Sequence, residues 1–379
     1  VSVVAGENRF DPTSDINARC PDGAEGVIDT CDWPLNGTPA REIGLGDFGP
    51  QLAKYLSEVG ELVAVSDPDS DACERFCSQS SIKVRTYSHH DPLLSSEAID
   101  AVAITSPNFT HREIAVAAAR AGKHVYCEKA MANNVSDCWE MIHACRDAGV
   151  KLMVGHKRRL RPPWARMIQL RDQLGDPRAI TACAYHDARP YNHQGWWTRE
   201  AQCGGILPVI GVHIVDWMCA MCGEVDTVRA LSAPQKDPRY DFPDTLHVTL
   251  TFRSRAIATL TVSLVFPLWK FREAGGPLVI TEKGSMRFEP YMDHIDLYWQ
   301  SSDDSQPTLE RFDDLGFDHA YRQELGDFVR WVQDGAQPCL TWQEGLRCVE
   351  VMEAAHRSAR EGGTIQQLPL YPEWEDQNA

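Results

Sequence analysis

The stretch Ile43-Gly44-Leu45-Gly46-Asp47-Phe48-Gly49 decides how the rest of the chain is read. It is a GxGxxG turn standing directly ahead of a segment in which Leu52, Tyr55, Leu56 and Val59 recur at i, i+3, i+4 and i+7, the stripe of an amphipathic helix. Gly44 permits the tight turn, Gly46 lets a pyrophosphate approach the backbone, and Gly49 lets helix and strand pack closely. Asp47 and Phe48 lie inside the same turn and are counted with the glycines as cofactor contacts. A β-rich run at residues 62–66 then ends in Asp67, 23 residues after Gly44, where an acidic side chain accepts both ribose hydroxyls of an adenosine. The spacing therefore points to a dinucleotide. Asp67, Asp69 and Asp71 repel a 2′-phosphate and no arginine directly follows Asp67, so the reading favours NAD over NADP. Only residues 40–43 precede Gly44, which makes the first strand short and polar.

Outward from this turn, strand and helix alternate. Strands are expected at 62–66, 82–87, 99–105, 124–128 and 150–155. Between them, Thr110 and Glu113 read as a capping box opening an alanine-rich helix that stops before Gly122, and another helix runs through Trp139 and Met141 to Gly149. Such repeats build a doubly wound parallel sheet, an N-terminal Rossmann domain over 41–155 behind a polar N-terminal arm at 1–40. From 156 to 370 the texture differs: a helix near 164–174, then strands at 178–185, 227–233, 244–252, 256–266, 278–281 and 285–288, mostly without long helices between them. This predicts a second α/β domain with a large, mostly antiparallel open sheet, for substrate binding and oligomerisation. Two C-terminal helices follow, one through Tyr321, Leu325, Phe328 and Val332, the other opened by Thr341 and Glu344 and ended at Gly362-Gly363, and both are expected to pack back on the Rossmann domain. Residues 371–379 read as a tail.

Length and composition bound the function. At 379 residues the prior is two to three domains, and 43% apolar with 24% charged residues excludes wholesale disorder, collagen and coiled coil. Fifty-four acidic against 37 basic residues leave a net charge of −17, which repels phosphate backbones and anionic lipid, so neither nucleic acid nor membrane is expected as a partner. Thirteen irregularly spaced cysteines read as reduced thiols, hence a cytoplasmic protein; no secretory signal is read. The apolar run 204–222 carries His213 and Asp216 near its middle, which argues against a membrane span. No metal is expected: Cys219 and Cys222 have CxxC spacing but lack a second close ligand pair, and His89-His90-Asp91 reads as a turn.

Three further clusters could carry chemistry. Tyr126-Cys127-Glu128-Lys129-Ala130 sits where the fifth strand meets its loop, and ligands of open α/β sheets bind beyond the carboxyl ends of strands, so Lys129 is placed to touch a substrate. His213 stands in the apolar run Cys203-Gly204-Gly205-Ile206-Leu207-Pro208-Val209-Ile210-Gly211-Val212-His213. On residue type alone, Lys129 is equally a solvated lysine and His213 a satisfied core histidine. The segment from Tyr191 to Arg199 suits a sugar: Trp196 and Trp197 stack on C–H patches while Asn192 and His193 bond hydroxyls, or the tryptophans simply anchor a loop. Lys157, Arg158 and Arg159 meet an anionic substituent or form a solvated face.

The combination resembles the Gfo/Idh/MocA family of glucose-fructose oxidoreductase and inositol dehydrogenase over about residues 41–370. The resemblance rests on the GLGDFG turn, AITSPNFTH at 103–111, AGKHVYCEKA at 121–130, the GGILPVIGVHIVD run and GGTIQQLP at 362–369. It implies a nicotinamide-dependent oxidation or reduction of a sugar or polyol hydroxyl, and an open sheet joining a homodimer or homotetramer. It further implies that Lys129, matching the EKP lysine, and His213, matching the GGxxxDxGxH histidine, form the catalytic pair. Ser106, Pro107, Asn108, His111, Glu128 and Lys129 would then border the cofactor, and Arg158, Tyr185 and His186 the substrate. Two positions depart from the pattern: Ala130 replaces the proline and Val209 the aspartate. Either His213 works with Lys129 alone, or Tyr185, His186 or Asp187 stands in for the missing acid. The expected activity is an NAD-dependent dehydrogenase of a sugar, glycoside or cyclitol. The alternatives are a redox-neutral NAD-using glycosidase or lyase acting through a transient keto-sugar, and an idle NAD-binding regulatory protein.

Overall fold

The computed structural model describes residues 39–45, 48–95, 99–186, 195–265, 276–291, 293–313 and 316–372. Gly46, Asp47, Asp187, Asn192 and His193 lie outside them.

The first half alternates β1 (Pro39–Ile43), α1 (Gly49–Val59), β2 (Glu61–Ser66), α2 (Ser70–Gln79), β3 (Arg85–Tyr87), α3 (His90–Leu94), β4 (Ala101–Ile104), α4 (Asn108–Arg120), β5 (His124–Glu128), α5 (Val135–Asp147) and β6 (Leu152–Gly155). All six strands are parallel in the order β3-β2-β1-β4-β5-β6. The chain reverses its direction of travel between β1 and β4, which opens a crevice at their carboxyl ends. β4 and β6 are buried at every position, as strands covered by helices on both faces must be.

Several local expectations are corrected. The first strand begins at Pro39, inside the expected arm. α4 starts at Asn108, with Pro107 before it; Thr110 does not cap it but donates its hydroxyl to Pro107 O at 2.8 Å and Ser106 Oγ at 2.7 Å. The third strand begins only at Arg85. His89-His90-Asp91 is no simple turn, because His89 Nδ1 accepts the Asp91 N–H and opens α3.

A 3₁₀ turn at Lys157–Leu160 leads to α6 (Pro162–Gln169), α7 (Arg171–Leu174), β7 (Pro177–Tyr185), α8 (Glu200–Cys203), a π turn at Leu207–Gly211 and α9 (Val212–Cys222). Then come β8 (Val225–Ser232), β9 (Thr245–Phe252), β10 (Ile257–Ser263), β11 (Leu278–Thr281), β12 (Gly284–Pro290), β13 (Ile295–Ser301), β14 (Thr308–Phe312), α10 (Phe317–Asp334), α11 (Trp342–Arg360) and β15 (Gln366–Gln367). These strands form one nine-stranded sheet, β14-β13-β12-β11-β7-β10-β9-β8-β15, antiparallel except for the β7–β10 pair. β13 and β14 extend it beyond the strands read from sequence. Leu231, Ile257, Leu278, Ile280 and Leu309 stand exposed on it.

The segment Glu200–Cys222 is long and apolar enough to cross a membrane, yet 83% of its most apolar window is buried within the fold, where it serves as core. The Thr341 and Glu344 capping box forms as expected. α11 packs on α5 and β6 of the first sheet and on β8 of the second, while α10 packs on α1, where Tyr55 stacks on Tyr321 at 5.2 Å and donates to Asp318 at 2.6 Å.

Candidate active site

The crevice at the carboxyl edge of the parallel sheet is built first from Gly44. Its φ is +109°, and a Cβ there would stand 2.6 Å from Ser106 N, so the turn can lie against the loop after β4 only as glycine. Asp67, just past β2, accepts the Leu45 N–H at 2.6 Å and the Asp69 N–H at 2.8 Å, which sets its carboxylate against the same turn. α1 opens after the exposed Phe48 with no side chain among the described residues capping it; Pro50 has no N–H and Gln51 N donates to Phe48 O, so the Gly49 N–H is the first-turn donor left to meet a phosphate. Gly44, Asp67, Phe48, Gly49, Ser106 and Pro107 thus form a cradle that fits a dinucleotide.

His111, Asn108 and Glu128, expected to border the cofactor, also make hydrogen bonds within the protein. His111 is wholly buried, with Nδ1 2.9 Å from Ala130 O and Nε2 2.8 Å from Ser106 O, so it ties the loop after β4 to the loop after β5. Burial lowers its pKa, against the pull of these carbonyls. Asn108 donates to Cys203 O at 3.2 Å and so clamps α4 to α8. Glu128 turns inward: Oε1 receives Lys157 Nζ at 3.4 Å and Oε2 the Lys129 N–H at 3.2 Å. Lys157 and Arg159 are likewise not a solvated face. Lys157 is buried over the Tyr321 ring, 4.3 Å from its centroid, and Arg159 binds both oxygens of the buried Asp216.

Lys129 and His213 both lie at this edge, near enough for the Lys129 charge to act on the imidazole. Lys129 follows β5 and is half-buried; burial, then the Lys157 charge, with Arg158 adding and Glu128 opposing, push its pKa down to about 8. His213 is the second residue of α9, which packs on the 3₁₀ turn. Burial, then Lys129, Arg158 and Lys157, hold its pKa well below the usual histidine range, so it is neutral. Its Nδ1 is buried without a hydrogen-bond partner among the described residues, and Val209, four residues earlier in the π turn, offers only an apolar side chain. Arg158 lies over the Trp164 ring at 5.0 Å. Tyr185 ends β7 and His186 follows it, both half-buried, before the undescribed residues 187–194. Trp196 and Trp197 form a 3₁₀ turn with ring centroids 5.0 Å apart, half-buried against the core.

His156, Asp216 and Cys348 are buried together with metal-ligand chemistry. The Arg159 guanidinium on Asp216 already supplies the positive charge there. Two participants escaped the reading of the sequence: Lys157 as the partner of Glu128, and Glu324, an acid on the apolar stripe of α10 three residues after Tyr321. Its place on that stripe was the available signal.

A Rossmann sheet with a dinucleotide cradle, joined to an open antiparallel sheet that brings a histidine to a strand-end lysine, defines a class of nucleotide-dependent oxidoreductases. Residues 43–156 match the profile described as the oxidoreductase family with an NAD-binding Rossmann fold, and residues 165–287 match the Gfo/Idh/MocA C-terminal domain. The chain belongs to the Gfo/Idh/MocA family. It is 30% identical over 229 residues to the 2,7-anhydro-N-acetylneuraminate hydratase of Escherichia coli K12, a match covering 58% of this chain and only 59% of that protein. Myo-inositol 2-dehydrogenase of Thermotoga maritima is 26% identical over 85% of this chain and 96% of its own. Among solved structures, the aldose-aldose oxidoreductase from Caulobacter crescentus complexed with glycerol superposes with a TM-score of 0.76 at 26% identity, covering 88% of this chain and 100% of that one.

Proposed function

We propose that this protein is an NAD-dependent dehydrogenase that transfers a hydride between nicotinamide and a secondary hydroxyl of a sugar, glycoside or cyclitol. The observation that carries this reading is the convergence of Lys129 and His213 at the carboxyl edge of the sheet that also bears the Gly44 and Asp67 cradle. NAD supplies the hydride acceptor and donor. The neutral His213 takes the hydroxyl proton, and the Lys129 ammonium steadies the developing alkoxide. Lys157 and Arg158 strengthen the same positive field. Asp67 disfavours a 2′-phosphate, so NAD is preferred to NADP, and fluorescence titration should give the tighter affinity for NADH. The test is a panel of sugars and cyclitols assayed for NADH at 340 nm; no turnover on any of them despite stoichiometric NAD binding would favour an idle, regulatory role.

A second reading is redox-neutral: the hydride removed from a ring carbon is returned before the product leaves, and an elimination or hydration occurs between. It is supported by the apolar Val209, by the unpartnered Nδ1 of His213, and by the hydratase name of the E. coli relative. Product formation with no accumulation of NADH distinguishes it.

We also propose a homodimer or homotetramer joined through the open face bearing Leu231, Ile257, Leu278, Ile280 and Leu309, to be tested by sedimentation. A cytoplasmic setting is supported by free thiols such as the buried Cys127, Cys138 and Cys219.

A further inference from the structure

Beneath Lys129 runs a buried polar chain that the reaction proposed above does not use. Tyr126 on β5 is wholly buried; its hydroxyl donates to Glu324 Oε1 on α10 at 2.8 Å and lies 3.5 Å from Glu128 Oε1. Room for that hydroxyl is kept by Gly155 on β6, where a Cβ would stand 2.2 Å from the phenolic oxygen. Glu324 is 0% exposed and its Oε2 has no hydrogen-bond partner among the described residues. From its own helix it faces Tyr321 and Asp327, the latter paired with Arg330. From β5 it faces Tyr126 and Glu128, and from the 3₁₀ turn Lys157; α1 adds Tyr55, stacked on Tyr321.

Two carboxylates therefore share the Lys157 ammonium. Glu128 has that ammonium and the Lys129 N–H, whereas an ionised Glu324 would bury a charge with one oxygen bare, which is costly. Glu324 is the member that keeps a proton. Its environment agrees: burial, foremost, together with Glu128 and Asp327, raises its pKa against the opposing Lys157 and Tyr126.

We propose that Glu324 is a positioning residue for the cleft lysine: as a neutral acid bonded to Tyr126 it leaves Lys157 to Glu128, and Glu128 fixes the Lys129 backbone and supports its ammonium. The inference rests on the Lys129 and His213 reading of the site. When Glu324 ionises it brings a second negative charge into the pocket and competes for Lys157, so Lys129 holds its proton more tightly in alkaline solution.

Glu324→Gln keeps an acceptor for Tyr126 and cannot ionise, whereas Glu324→Leu removes both properties. Competitive acetylation of the full chain by acetic anhydride, quantified by peptide mass spectrometry against the exposed Lys83, reads the proton affinity of Lys129 without any substrate. Followed across about pH 7 to 10, the Lys129 acetylation midpoint in Glu324→Gln should lie at least about half a pH unit below that of the wild type, because the added negative charge never arrives. The Gln variant should keep kcat within about twofold at pH 7, and the Leu variant should lose about tenfold in kcat with little change in KM. Superimposable acetylation curves for wild type and Glu324→Gln would overturn the proposal even if the Leu variant fails to fold. An acetylation shift without turnover of any sugar would uphold Glu324 and defeat the dehydrogenase reading instead.

Discussion

Lys157→Met tests whether the buried pair beneath the cleft holds the fold together. Lys157 is 7% exposed, its ammonium 3.4 Å from Glu128 Oε1 and 4.3 Å from the Tyr321 ring centroid. At an effective dielectric constant of about 20, opposite charges at that separation attract by about 5 kcal/mol, and the ring contact adds about 1 kcal/mol. Deleting the lysine also removes its own desolvation cost, so the expected net loss is about 3 to 5 kcal/mol, the range found when one partner of a buried pair is removed. Urea denaturation at about pH 8 followed by tryptophan fluorescence measures it. Adding Glu128→Gln, which removes the stranded charge, should recover most of the deficit. A loss below about 1 kcal/mol, or one that Glu128→Gln does not reduce, would refute the reasoning.

Lys129→Ala and His213→Ala should each lower turnover at least about a hundredfold while NAD affinity, read by fluorescence titration, stays nearly unchanged. For sugar oxidation, kcat/KM should fall as pH rises through about 8, where Lys129 loses its proton, and show no limb from His213 near neutrality; a rate that climbs through about 8 would exchange the two roles. Gly44→Ala places a Cβ 2.6 Å from Ser106 N at a φ of +109°, and it should cost at least about 2 kcal/mol in urea denaturation and abolish NAD binding at micromolar concentration.

The parallel half was legible because its signals are local. The GxGxxG turn, the apolar stripe from Leu52 to Val59 and the acid at Asp67 each lie within one strand–helix unit, and the structure assembles them at one crevice edge. β13 and β14 were not: they are half-exposed strands without a clean alternation, Ile295, Asp296 and Leu297 being buried in succession. The start of α4 was misplaced because a threonine and a glutamate at capping-box spacing occur inside a helix whose entry is fixed by Pro107. Within the site, Lys129 and His213 could be picked out by position at a strand end and in a glycine-bordered run. Burial of Lys157, Arg159 and His111 could not, because their partners Glu128, Asp216 and Ala130 lie 19 to 57 residues away in sequence.

α11 has a mechanical consequence for ligand capture. It touches both sheets, and Ser358 near its end receives the Ala230 N–H of β8 while Glu353 receives the Val135 N–H at the start of α5. Residues as far apart as Val102, Met131, Leu250 and Leu297 belong to one continuous interior. In proteins whose halves swing on a thin linker, the gap between them breathes and capture is a race with closure. Here that joint is filled with side chains, and prising it open would wet apolar surface at about 25 cal/mol for every Å². The two sheets are accordingly held at a fixed separation, and the edge that carries Lys129 cannot widen without wetting that shared interior.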